Sequence, residues 1–107
     1  MHLSKKIKKA NVVDLVLNAV EELNQQLLPH EQVPLSVDAQ LFGSGGNLDS
    51  LGLVNLIVLV EERATNELGV SITLTNEKKL SQENSPFRSV QTLASHIHAL
   101  LEEDRKA

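Results

Sequence analysis

A chain of 107 residues has room for one compact domain and little more. Its formal net charge of −4 is unevenly spread: Lys5, Lys6, Lys8 and Lys9 stand in the first ten residues, leaving 6 basic against 14 acidic side chains, or −8, over the remaining 97. So acidic a body is repelled by phosphate backbones, which argues against a nucleic-acid-binding domain, and the absence of cysteine removes disulfides, thiolate zinc sites and cysteine nucleophiles together.

The first nine residues read as a basic, solvated arm. The apolar run behind it is broken by Asp14 and Asn18, and Glu21 and Glu22 stand where a signal peptide would need small residues. No stretch approaches the roughly 18 uninterrupted apolar residues of a membrane span. A soluble, cytoplasmic domain without stable membrane insertion is expected. From 10 to 28 the pattern is that of an amphipathic helix. Val13, Val16, Val20, Leu23 and Leu27 recur at steps of three and four, Val12, Leu15 and Ala19 widen the stripe, and Pro29 ends it.

Residues 29 to 48 form a long connection, with Pro29, Pro34, Gly43, Gly45 and Gly46 against any regular element. Leu35, Val37, Leu41 and Phe42 make it too apolar for a free linker, and ordered loops of this length are often functional. A second helix runs from Asp49 to about Glu67 and is apolar almost all round in its first half, from Leu51 to Val60. A helix in a small domain buries only part of its circumference, so some of these side chains stay exposed or meet a partner. Gly69 supplies its stop.

Val70, Ile72 and Leu74 alternate with polar residues, yet no second strand is available, so this run reads as an extended connection. A minor helix is predicted over 76 to 82. Ser89 suits an N-cap for a last helix with Val90, Leu93, Ile97 and Leu101 as its core stripe, followed by a polar tail over 104 to 107. The predicted fold is all-α, an irregular four-helix bundle with a long first loop, occupying residues 10 to 103.

The chemistry-bearing centre is Asp49-Ser50-Leu51, behind a glycine-rich loop and at a helix start. Unpaired amides and the helix macrodipole favour an attached or bound phosphate there. The plainer reading makes Asp49 or Ser50 simply the N-cap. Other candidates are weaker. Gly43-Ser44-Gly45-Gly46 lacks the Gly-Lys-Ser/Thr of a P-loop, and Ser50 lacks a Gly-x-Ser-x-Gly elbow for a hydrolase. His96 and His98 point about 200° apart on a helix, a poor pair for one metal or one base.

Leu41-Phe42-Gly43, then Leu48-Asp49-Ser50-Leu51-Gly52-Leu53-Val54, then Glu61-Glu62, and finally Ser89-Val90-Gln91-Thr92-Leu93 resemble the acyl carrier protein family in content and order. The resemblance covers roughly residues 10 to 103. It implies a four-helix bundle of acyl-carrier type in which Ser50 receives a 4′-phosphopantetheine arm from coenzyme A. It further implies that Asp49, Leu51, Val54 and Val58 help partners to dock, and that Glu61 and Glu62 face basic partner surfaces. The implied partners are a phosphopantetheinyl transferase and the enzymes that load and transfer acyl or aminoacyl groups, the carrier itself being non-catalytic and monomeric. Gly52 and Asn55 stand where many fatty-acid carriers have Asp or Glu, while Leu53 and Val58 add apolar surface, so the expected docking face is less acidic than usual. The alternative from another class is an unmodified helical adaptor that binds a partner through its apolar second helix.

Overall fold

The computed structural model describes residues 8–42, 46, 48–74 and 86–106. Three α-helices carry the chain: α1 (Lys9–Asn24), α2 (Ser50–Arg63) and α3 (Val90–Lys106). Among the described residues the only β-type pairings are two isolated bridges, Gln40 with Ser89 and Phe42 with Leu48, so the fold is all-α. The sequence pattern predicts a fourth, minor helix over 76 to 82, which lies outside the described residues.

Helix α1 buries Val12, Leu15, Val16, Ala19, Val20 and Leu23, while Asp14, Asn18 and Glu21 face solvent. Val13 sits on the flank of this stripe, half-buried against the core. The α-helix ends at Asn24, four residues before the position the sequence suggests. Asn24 uses its side-chain amide in a reciprocal pair with Val33, donating to the carbonyl and accepting from the N–H, both at 2.8 Å. Beyond it the amides of Gln25, Gln26 and Leu27 bond three residues back, and Pro29–Glu31 make one 3₁₀ turn. The helix thus tightens and turns where a long-range polar contact fixes its last residue.

The long loop is fastened to the start of α3. Val90 and Gln91 donate their amides to the carbonyls of Ala39 and Val37, at 3.1 and 3.0 Å. Leu41 and Phe42 in turn donate to the carbonyls of Arg88 and Phe87. A helix start leaves its first amides without intrahelical acceptors, and here the loop supplies them. Ser89 completes the cap: its Oγ accepts from the Thr92 amide at 3.2 Å, and the Thr92 hydroxyl accepts from the Ser89 amide at 3.0 Å. Val90, Leu93, Ala94, Ile97 and Leu101 are buried along α3. The helix continues to Lys106, so the polar residues from 104 extend it, as the good helix propensities of Arg and Lys allow.

Helix α2 buries Leu53, Leu56, Ile57 and Val60 between its neighbours. It widens into a π turn over Ala64–Leu68, where the Thr65 hydroxyl donates to the Glu61 carbonyl at 3.2 Å and competes with the ordinary ladder. Gly69 closes the turn at φ 68°, a left-handed conformation that favours glycine. Val70, Ile72 and Leu74 follow without regular structure and pack on the core, Leu74 fully buried. Arg63 joins Glu22 of α1 at 2.9 Å and Glu67 at 2.8 Å. These pairs are partly exposed, so they orient the two helices more than they stabilise them.

Replacing Asn24 by Ala removes both bonds to Val33 and leaves that half-buried backbone unsatisfied. The expected cost is about 1–3 kcal/mol in urea denaturation, whereas Glu21→Ala, at an exposed helix position, should stay within about 0.5 kcal/mol.

Candidate functional site

The site begins with a close backbone approach. A Cβ on Gly46 would lie 2.6 Å from the Leu41 carbonyl oxygen, so only glycine passes here without displacing the chain. The Leu48 amide then donates to that same Leu41 carbonyl at 2.9 Å, and the Leu48 side chain is buried. With Leu41 held by α3 and Leu48 held by Leu41, the next residue is delivered to a fixed place.

That residue, Asp49, is extended (φ −86°, ψ −176°) and is the N-cap of α2. Its Oδ1 accepts from the Gly52 amide at 2.8 Å, and its carbonyl accepts from the Leu53 amide at 2.9 Å. Capping therefore falls to Asp49, and Ser50 is the first residue of the helix proper. Asp49 satisfies the third amide of the helix, while those of Ser50 and Leu51 belong to the set that a helix start leaves without intrahelical acceptors. The positive end of the macrodipole lies at the same place.

From there an apolar stripe runs along the outer side of α2. Leu51 is 70% exposed, Val54 39% and Val58 45%, at steps of three and four residues. Leu53, which the sequence suggests as added surface, is instead buried, because it shares the core side with Leu56, Ile57 and Val60. The acidic pair is split. Glu62 is exposed, whereas Glu61 is half-buried and its Oε2 accepts the Leu74 amide at 2.7 Å, pinning the extended segment to α2.

Beside Ser50 lies a groove of about 260 Å³, lined by Leu27, Glu31, Leu48, Asp49, Leu51, Gly52 and Asn55. Gly52 lies on its wall, where a Cβ would be crowded by Leu48 Cδ2 at 3.2 Å and Asp49 Oδ1 at 3.3 Å. Leu27 and Glu31 come from the turn after α1, and no motif in the sequence marks them as part of this place. A smaller cleft of about 170 Å³ is lined by Ser71, Ile72, Thr73, Leu100 and Leu101. His96 and His98 turn to separate neighbours: the His96 ring meets Phe87 edge-on at 6.4 Å, and His98 Nε2 lies 3.7 Å from Glu102. Among the described residues no three His, Asp or Glu side chains gather as metal ligands, and no helix is long and apolar enough to cross a membrane.

Comparison of the chain with protein-family models, with curated proteins and with solved structures returned no match.

Four substitutions separate structural roles from surface ones. Asp49→Ala should cost about 1 kcal/mol of stability, with Asp49→Asn keeping most of it because asparagine caps nearly as well. Of the acidic pair, Glu61→Ala should destabilise by about 1–3 kcal/mol by stranding the Leu74 amide, while Glu62→Ala stays within about 0.5 kcal/mol. Chemical denaturation of the four variants checks both statements.

Proposed function

We propose that this chain is a carrier protein of acyl-carrier type, modified at Ser50 by 4′-phosphopantetheine. The observation that supports it best is the helix start itself: Asp49 caps α2 by accepting the Gly52 amide, and Ser50 follows it at the first helical position. It is followed on the same helix by the exposed stripe Leu51, Val54 and Val58 and by the exposed carboxylate of Glu62. In this reading the three described helices belong to a four-helix bundle, and the carrier is a monomeric cytoplasmic protein with no catalysis of its own.

The surroundings fit the group. Gly52 leaves a cradle that a Cβ would fill, and the groove beside Ser50 offers both leucine side chains and the amide of Asn55. When bound, the arm supplies a thiol on which acyl or aminoacyl groups are held as thioesters, so the chain needs no cysteine. Attachment would join the Ser50 hydroxyl oxygen to the pantetheine-bearing phosphate of coenzyme A and release adenosine 3′,5′-bisphosphate, a base of the transferase taking the serine proton while Mg²⁺ neutralises the phosphates. The positive end of α2 favours the negative charge that this leaves at residue 50. Leu51, Val54 and Val58 give partner enzymes an apolar contact, and Glu62 meets their basic residues. Glu61 reaches a partner less readily, because Leu74 already occupies it.

The exposed stripe is equally what an unmodified adaptor would use, so the decision rests on chemistry at Ser50. Incubated with coenzyme A, Mg²⁺ and a broad-specificity phosphopantetheinyl transferase, the protein should gain the mass of one phosphopantetheine, and Ser50→Ala should gain none. A wild-type protein of unchanged mass, or a modified Ser50→Ala, would refute the carrier reading at this site. An adaptor would keep its partner when Ser50 is replaced.

A further inference from the structure

An arm attached at Ser50 leaves the helix start in one of two directions. One leads over the stripe Leu51, Val54 and Val58, the other into the groove between the α1 turn and α2. We propose that the arm rests in the groove, with its branched pantoate segment against Leu27 and Leu48 and its first amide on Asn55. This proposal rests on the carrier reading above and adds to it a residence for the arm and a role for Gly52.

Position comes first. Asp49 and Leu51, the neighbours of the attachment residue on either side, both line the groove. Shape comes second. The stripe is convex helix surface, whereas the groove touches an occupant from both α2 and the turn of Leu27 and Glu31. A volume of about 260 Å³ falls below the roughly 300 Å³ at which pockets for whole drug-sized ligands begin. It therefore suits one segment of a tethered chain.

Chemistry is third. Next to its phosphate the pantoate segment carries two geminal methyl groups, a hydroxyl and an amide. Leucine side chains from both walls cover the methyls, which removes apolar surface from water. The Asn55 side chain both donates and accepts, matching the amide and hydroxyl. The Glu31 carboxylate on the far wall repels the phosphate, which stays with its own residue at the helix start. Gly52 is part of the wall. A side chain there would crowd Leu48 and Asp49 and project into the space the segment occupies. An arm parked on this side leaves Val54 and Val58 open to partners, so display of the docking stripe and storage of the arm do not compete.

The test compares the unmodified and phosphopantetheinylated proteins by NMR, with intact mass recorded on the same samples. The modified protein should give nuclear Overhauser contacts from the geminal methyls to the methyls of Leu27 and Leu48. Shift changes on modification should concentrate at Leu27, Glu31, Gly52 and Asn55 and leave Val58 unmoved. In modified Gly52→Val those contacts should be lost; should that variant fail to fold, the wild-type spectra decide alone. Full modification with contacts to Val54 or Val58, or with none to the protein, overturns the groove and leaves the carrier reading standing. Contacts to Leu27 that persist in a folded Gly52→Val overturn the role of the glycine. An unmodified mass brings down both the carrier reading and the groove.

Discussion

The amides at the start of α3 need acceptors, and the carbonyls of Ala39 and Val37 provide them. Much else follows from that exchange. With Ala39 and Val37 held, Leu41 is placed to bond Arg88, and the Leu41 carbonyl receives Leu48 past the bare backbone of Gly46. Leu48 then hands the chain to Asp49, which caps α2. A buried polar group left unpaired costs more than a paired one gains, so the loop is held in place by the needs of a helix to which it does not belong. The position of Ser50 is thereby set by the last helix through the long loop, and only afterwards by α2.

The core that this arrangement encloses is almost entirely aliphatic, with Phe87 its one fully buried aromatic side chain among the described residues. Helix α2 carries more apolar residues than its neighbours cover, and the structure divides them cleanly. Leu53, Leu56, Ile57 and Val60 go inward, while Leu51, Val54 and Val58 remain outside. Three aliphatic side chains exposed in one row leave apolar surface in water that polar residues there would not. A partner face is the use we propose for such a row, in a carrier and in an adaptor alike.

The three helices were readable because each shows a stripe of one period, and Gly69 and Ser89 punctuate them with residues whose local chemistry is nearly sufficient by itself. The end of α1 was not readable, because what stops it is the pairing of Asn24 with Val33, a contact across nine residues that leaves no trace in periodicity. Leu53 was misplaced for a related reason: a helix apolar on all sides has no polar face to set its phase. The motif Asp49-Ser50-Leu51 stood out at once, but which of the two polar residues caps the helix depends on backbone geometry. The groove was invisible in sequence, since Leu27 and Glu31 reach it only through the turn after α1. In sequence Gly52 reads only as a missing acidic side chain, not as part of a groove wall.

The bonds from Val90 and Gln91 to the loop also bear on how the chain assembles. Helical proteins usually fold quickly because their contacts are local. Here the cap of the last helix is contributed by residues that precede the second, so α3 cannot be finished until the ends of a long intervening segment have met, at an entropic cost that grows with its length. Loop and helix start should therefore open and close as a single cooperative unit, slow to exchange amide hydrogens at Leu41 and Val90 alike. The most sequence-distant contact in the loop, rather than any one helix, then sets the pace at which the start of α2 becomes rigid.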